Sequence, residues 1–249
     1  YSIGTDPVAG YLNAHRIVNL AVETGCTAIH PGYGFLSENA QLPEICAKRR
    51  IRFIGPSAKV MRRMGDKTEA RRSMIEAGIP VLPGTEDNLK DVDDALHHAE
   101  AIGYPVMLKA TTGGGGRGIR RCHTEEELRR SYDRVISEVT KAFGNADVFL
   151  EKCIVDPVHI EVQVLGDSYG NVIHLFERDC SIQRRNQKLI EIAPSPQLSS
   201  DQRQFVGELA VRAARAVGYE NAGTVEFLMD ADGNFYFMEM NTRLQVEHT

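Results

Sequence analysis

Two apolar runs around residue 230 set the strongest limit on what this chain can fold into. Thr224 to Met229 and Phe235 to Met240 flank the turn-forming sequence Asp230-Ala231-Asp232-Gly233-Asn234, which predicts a β-hairpin. An all-helical fold is thereby excluded, and so is a purely parallel sheet. With Ala231 to Asn234 as a symmetric turn, Asp230 pairs with Phe235 and Glu226 falls opposite Glu239. Two facing carboxylates repel each other and weaken a sheet. A divalent cation shared between them removes the repulsion, and hard oxygen donors suit magnesium or manganese. Asn241 shares the face of Glu239, because side chains alternate along a strand, and offers a third oxygen. A solvated polar face would tolerate the same glutamates without metal. The core-like neighbours Val225, Phe227, Phe235 and Phe237 favour the metal.

The rest of the chain alternates helical and strand patterns, which makes the fold class α/β. Asn13 caps a helix with Ile17, Val18, Leu20 and Ala21 on one face, stopped at Gly25. Thr27 to Ile29 and Arg52 to Ile54 are short strands, with a helix from about Ala40 to Lys48 between them. Residues 1–60 thus form part of a parallel βα layer, and residues 61–249 a second unit. There Asp66 caps a helix to Ala77, Leu89 to Ile102 is helical, and Val106 to Leu108 is a strand. Thr124 and Glu127 make a capping box for a helix to about Phe143, followed by a strand at Val148 to Leu150. Residues 82–152 stand out as a small α/β subdomain. Beyond it, Ile160, Val162 and Val164 alternate with Glu161 and Gln163. Asp167 to Asn171 turns the chain into a strand at Val172 to Phe176, and a helix runs from Ser200 to Val217.

Gly113, Gly114, Gly115 and Gly116 follow the strand at 106–108, with Lys109 before them and Arg117 after. Glycines let backbone N–H groups close on an anion. The run lacks both the Gly-Lys-Ser/Thr of a Walker loop and the GxGxxG spacing of dinucleotide folds. A flexible linker is the bland alternative, but flanking cations between a strand and a capped helix favour phosphate contact. Glu177 to Lys188 is dense in Arg, Gln, Asn and Lys, and suits either an exposed loop or a site for several anions. Arg243-Leu244-Gln245-Val246-Glu247-His248, just past the hairpin, is open to the same two readings.

With 29 basic and 34 acidic side chains the net charge is -5, which argues against a general nucleic-acid or membrane-surface binder. No apolar run approaches the roughly 18 residues of a membrane span. Five scattered cysteines without a CxxC pair indicate neither a disulfide framework nor a zinc site, and fit a reducing compartment. Cys180 has no base partner in sequence and is expected to be buried and inert. His30 and His159 lie in polar motifs and are better candidates for function than His123 and His174.

Several of these blocks resemble the biotin carboxylases. They are His30-Pro31-Gly32-Tyr33-Gly34-Phe35-Leu36-Ser37-Glu38-Asn39, Met64-Gly65-Asp66-Lys67, the glycine run, Glu177 to Lys188, and Glu239 to His248, in that order. Biotin carboxylases are the ATP-grasp components of acetyl-CoA, propionyl-CoA, methylcrotonyl-CoA and pyruvate carboxylases. The resemblance implies an ATP-grasp fold with a partial N-terminal parallel-sheet layer, a small lid, and a mixed or antiparallel sheet carrying the metal. It implies that Lys67 and Lys109 hold ATP phosphates under a lid tipped by Gly113 to Gly116. Glu151, Lys152 and Ile154 then match the adenine segment, and His159, Gln183 and Asn186 the ribose and phosphate region. Glu226, Glu239 and Asn241 match the metal set. Arg243, Gln245 and Val246 resemble the bicarbonate pocket, Glu247 the base that deprotonates bicarbonate, and Lys188 a lysine near the transferring phosphate.

The implied reaction is ATP- and bicarbonate-dependent carboxylation of biotin on a biotin carboxyl carrier protein, through carboxyphosphate, with magnesium or manganese. A carboxyltransferase and a second copy in a full-length homodimer are the other implied partners, with no nucleic acid and no membrane. The implied compartment is the cytoplasm, or the mitochondrial matrix in a eukaryote. Asn186 stands where many relatives have His, Ile192 where an acidic residue is common, and the glycine run is one shorter than in some relatives. Family members also carry segments before Tyr1 and after Thr249, so the resemblance implies an excised piece. Two other readings stay open: another ATP-grasp ligase such as carbamoyl-phosphate synthetase, or a nucleotide-binding module without catalysis.

Overall fold

The structure, a computed structural model, describes residues 1–111, 118–144, 147–184 and 187–248. The chain opens with α1 (Pro7–Tyr11), α2 (Ala14–Glu23), β1 (Ala28–Ile29), α3 (Gln41–Lys48) and β2 (Arg52–Phe53). Asn13 caps α2 as its sequence suggests, its side chain accepting from Arg16 N at 2.9 Å. Strands β1 and β2 pair in parallel, Ala28 with Arg52. Val18, Leu42, Ile45 and Cys46 fill the core between them and the helices.

Two helices follow in place of the single one expected. Ser57 caps α4 (Ala58–Gly65), which buries Val60, Met61 and Met64. Asp66 then starts α5 (Lys67–Glu76), its Oδ1 accepting from Thr68 N at 2.9 Å and Glu69 N at 3.0 Å. That cap fixes Lys67 at the first residue of a helix, where its backbone N–H end is positive.

A separate core lies over α6 (Val92–Ile102), β3 (Val106–Ala110), β4 (Ile119–Cys122), α7 (Glu125–Phe143) and β5 (Val148–Lys152). The strands form an antiparallel sheet in the order β4-β3-β5. Helix α6 begins at Val92 rather than Leu89, because the Asp91 side chain caps it and Leu89 pairs its N–H with Val148 O at 2.8 Å. Thr124 caps α7, but Glu127 Oε2 accepts from His123 N at 2.7 Å, one residue before the expected capping-box partner. Strand β4 carries two arginines in four residues and gives no alternation to read.

The main sheet contains β6 (Val158–Gly166), β7 (Val172–Arg184), β8 (Gln187–Ile192), β9 (Asn221–Met229) and β10 (Phe235–Asn241). Its order is β10-β9-β6-β7-β8 and every pairing is antiparallel. One face packs Ile160, Val162, Val164, Val225 and Phe227 against α8 (Ser200–Val217), which presents Val206, Leu209, Ala210, Ala213 and Ala214. Each fully buried Val, Leu or Phe there contributes about 1.5–3 kcal/mol relative to exposure. The other face is polar. The stretch from Glu177 is not an exposed loop: it continues β7 through Arg184, and β8 begins at Gln187.

The terminal hairpin forms with a register the sequence only half anticipates. Phe235 pairs with Met229, not Asp230. Asp230 turns its side chain to the backbone instead, accepting from Asp232 N at 3.0 Å and Asn234 N at 2.9 Å. The ladder then slips by one residue between Phe237 and Glu239, restoring Glu239 opposite Glu226. Among the described residues no helix is long and apolar enough to cross a membrane.

Candidate active site

The register of the main sheet lines up charge across four strands. Glu239 on β10 pairs with Glu226 on β9, Glu226 with Glu161 on β6, and Glu161 with Arg178 on β7. Glu161 and Glu226 are 0% and 2% exposed. At the roughly 5 Å spacing of paired residues, each like-charge contact costs about 3 kcal/mol at an effective dielectric of about 20. Such a row survives only among cations and donors.

Those groups are present. Glu226 Oε2 bonds His159 Nε2 at 2.7 Å, and Glu226 Oε1 accepts from Lys188 Nζ at 3.1 Å and from the Asn241 amide nitrogen. Lys188 also contacts Glu161, while Lys67 Nζ lies 3.9 Å from Glu239 Oε2. Burial opposes the Glu226 charge, yet the bonds from His159 and Lys188 outweigh it and hold the carboxyl at about 2. Glu239 shifts the other way. Burial raises it and the Glu226 charge raises it further, with Lys67, Lys109 and Lys188 offsetting part of the shift. Three lysines, from α5, β3 and β8, therefore act electrostatically on one carboxylate, with Lys67 in direct reach of it. His159 is held as one tautomer: the Gln183 amide nitrogen donates to Nδ1 at 2.8 Å, so Nε2 carries the proton toward Glu226.

The lid-side residues meet in a second ion cluster. Lys109 Nζ donates to Glu151 Oε2 at 2.5 Å, and Arg71 Nη1 lies 3.6 Å from Glu151 Oε1. Burial lowers the Arg71 pKa against the pull of Glu151. Lys152 turns its ammonium away, to the carbonyls of Gly103 and Tyr104 at 2.9 and 3.1 Å. Half-buried Ile154 follows, its carbonyl accepting from Cys153 Sγ at 3.5 Å.

Beyond β10, Glu38 ties the first unit to the last loop. Its carboxylate accepts from Thr242 N at 3.0 Å and Arg243 Nε at 3.2 Å. Gln245 is buried and Val246 is exposed. Half-buried Glu247 acts on Glu191, whose pKa is raised first by burial and then by that neighbouring charge. Cys180 is fully buried and its thiol is pushed far up by desolvation, as expected of an inert residue. His30 is exposed and uses Nδ1 to accept from Gly32 N at 3.0 Å.

The structure thus brings Lys67, Glu226, Glu239, Asn241, His159, Gln183 and Lys188 into one cluster, with Lys109 and Glu151 beside it. Gly113, Gly114, Gly115, Gly116 and Asn186 lie outside the described residues. The sequence reading misses Glu161, Arg178 and Glu38. The ligand atoms of His159, Glu161 and Glu226 lie within 4.8 Å of one another, a spacing that could hold a cation. The signal for Glu161 was its alternation, together with Gln163, with Ile160, Val162 and Val164.

Residues 66–249 match the family described as carbamoyl-phosphate synthase L chain, ATP binding domain, and residues 1–61 match biotin carboxylase, N-terminal domain. The 2-oxoglutarate carboxylase small subunit of Hydrogenobacter thermophilus is 59% identical over 248 residues, covering 100% of this chain and 52% of that protein. A biotin carboxylase of Nostoc sp. is 56% identical over 238 residues, covering 96% of this chain and 53% of that protein. The crystal structure of the biotin carboxylase domain dimer of the Hydrogenobacter thermophilus 2-oxoglutarate carboxylase, in complex with MgADP, ADP and bicarbonate, superposes with a TM-score of 0.95. It is 59% identical and covers 100% of this chain and 55% of that chain. This chain spans about half the length of each of these two curated relatives. By its sequence and fold the chain belongs to the carbamoyl-phosphate synthase L-chain ATP-binding family, in its biotin carboxylase branch, with the ATP-grasp architecture.

Proposed function

We propose that this chain carries the ATP-dependent step of biotin carboxylation, in which bicarbonate is phosphorylated and its carboxyl group passes to biotin. The observation that carries this reading is the row Glu239, Glu226 and Glu161, with Lys67, Lys109 and Lys188 acting on it. Phosphoryl transfer depends mainly on positioning and charge neutralisation. Lysines beside facing carboxylates provide both for a metal-bound triphosphate.

The metal that ATP requires fits the donors present. Glu226, Glu239 and Asn241, which share one face of the sheet, would hold it through hard oxygens, with Glu161 adjoining them. When bound, such an ion neutralises phosphate charge and orients the reacting groups. Lys67 and Lys109 take phosphate oxygens in this reading, and Gly113 to Gly116 close over them from a lid spanning about 82–152. Glu151, Lys152 and Ile154 line the adenine, and His159, Gln183 and Asn186 the ribose and phosphates. Arg243, Gln245 and Val246 hold bicarbonate, Glu247 removes its proton, and its oxygen attacks the γ-phosphorus in line. Lys188 steadies the charge on the transferring group. Closure of the lid excludes water, which would destroy carboxyphosphate.

Domain limits of 1–60 and 61–249, a biotin carboxyl carrier protein, a carboxyltransferase and a homodimer of the whole enzyme belong to the same proposal. So does a cytoplasmic or mitochondrial-matrix setting. The match over residues 66–249 also fits another bicarbonate-phosphorylating ligase, and the match of residues 1–61 favours biotin. The test is ATP hydrolysis with magnesium, with and without bicarbonate and free biotin. Hydrolysis that needs bicarbonate and rises with biotin supports the proposal, and hydrolysis indifferent to both overturns it.

A further inference from the structure

Arg178 is 7% exposed and divides its guanidinium among four acceptors. Nη1 donates to Gln163 Oε1 at 3.1 Å. Nη2 donates to Gln245 Oε1 at 2.8 Å and to Glu161 Oε2 and Thr224 Oγ1, each at 3.3 Å. The Thr224 hydroxyl donates in turn to Gln245 Oε1 at 2.5 Å.

A guanidinium offers donors and no acceptor, so any amide it meets must turn its oxygen inward. Gln163 and Gln245 both do so, with different consequences. Gln163 uses its freed nitrogen within the sheet, donating to Gly223 O at 3.0 Å. Gln245 has its oxygen held by two donors, so its Nε2 is the amide atom left to face away from them. An amide free to rotate would present its carbonyl to an anion half the time and repel it. Reversing Gln245 here would set its NH2 group against the Arg178 donors and break both bonds to its oxygen.

We propose that Arg178 and Thr224 form a positioning pair that fixes the polarity of the Gln245 amide, so that it presents an N–H donor to bicarbonate. This rests on the reading of Gln245 as a bicarbonate residue. The same guanidinium also donates to Glu161 Oε2, next to Glu226 in the carboxylate row.

The experiment measures binding of 13C-bicarbonate by NMR in the presence of ADP, with ADP affinity measured alongside. Thr224→Val and Arg178→Lys are each expected to weaken bicarbonate about tenfold, the size of one hydrogen bond, and to leave ADP affinity within about twofold. Thr224→Ser restores the hydroxyl and should restore bicarbonate affinity. In a Gln245→Leu background Arg178→Lys should add no further loss, because it acts through Gln245. Folded Thr224→Val with parental bicarbonate affinity would overturn the proposal, as would an undiminished Arg178→Lys effect in the Gln245→Leu background. Thr224→Val alters no charge and keeps the test decisive should Arg178→Lys fail to fold. A parent chain that binds no bicarbonate removes the reading beneath the proposal. A parent that binds it regardless of Arg178 and Thr224 removes the positioning pair alone.

Discussion

Glu226 and Glu239 face each other because the β9–β10 ladder slips by one residue at Met238. Phe235 and Phe237 point into the core, and a regular strand would send Glu239 after them. The bulge returns Met240 to the core face and aligns Glu239 and Asn241 with Glu226 and Thr224. An irregularity of one residue thus divides apolar packing from site chemistry along a seven-residue strand.

Deleting Met238 should remove the irregularity without turning the strand over. Taking out the one extra residue leaves Phe237 in the core, Glu239 opposite Glu226 and Met240 in the core, in unbroken alternation. Urea unfolding with an unchanged slope should therefore show a loss below about 2 kcal/mol. A loss of about 3 kcal/mol or more, the size expected when a carboxylate enters the core and a methionine leaves it, would show that the bulge does not set the pairing.

Asp179 links β7 to the loop before α8. Its carboxylate accepts from Ser181 Oγ at 2.5 Å, Ser195 Oγ at 3.0 Å and Gln197 Nε2 at 3.1 Å. Burial disfavours the charge, but these donors outweigh it and hold the pKa below the ordinary value. A depressed folded pKa gives stability that is fully present above the unfolded value of about 3.9 and lost as pH falls through the folded one. Asp179→Asn should cost about 1–3 kcal/mol at neutral pH. That gap should narrow in urea titrations run below about pH 4. A gap that holds or widens on acidification would contradict the assignment.

Gly84 joins the lid-side sheet to the chain beneath it, bridging Glu151. A Cβ at this position would sit 2.5 Å from Leu150 O, and backbone cannot yield cheaply. Gly84→Ala should therefore destabilise by about 1–3 kcal/mol and loosen β5, seen as faster amide exchange at Leu150 and Lys152. Unchanged exchange at both would count against a tight seat.

Much of this was legible in the sequence for a local reason. Caps at Asn13, Asp66 and Thr124, the apolar face of α2 and the Asp230–Asn234 turn act over a few residues. The facing of Glu226 and Glu239 was also legible, although by a simpler route than the molecule takes, since a turn shifted by one and a bulge cancel. Glu161 escaped because β6 pairs with β9 across an intervening hairpin and helix, and no short-range pattern announces that neighbour. The run from Glu177 hid a strand because its polar residues are buried against one another: Glu177 accepts from Arg203 Nε at 2.8 Å, while Arg178 holds Glu161. Glu38 and Arg243 lie about 200 residues apart and meet only through the tertiary fold.

The central claim is that the carboxylates meeting on this sheet hold the metal of a metal–ATP complex. Calorimetric titration of ATP with and without magnesium, on the parent chain and on a Glu226→Gln, Glu239→Gln double variant, tests it most directly. The account expects magnesium to tighten ATP binding by at least about tenfold, or about 1.4 kcal/mol, in the parent and by little in the variant. An equal effect of magnesium on both proteins would contradict it.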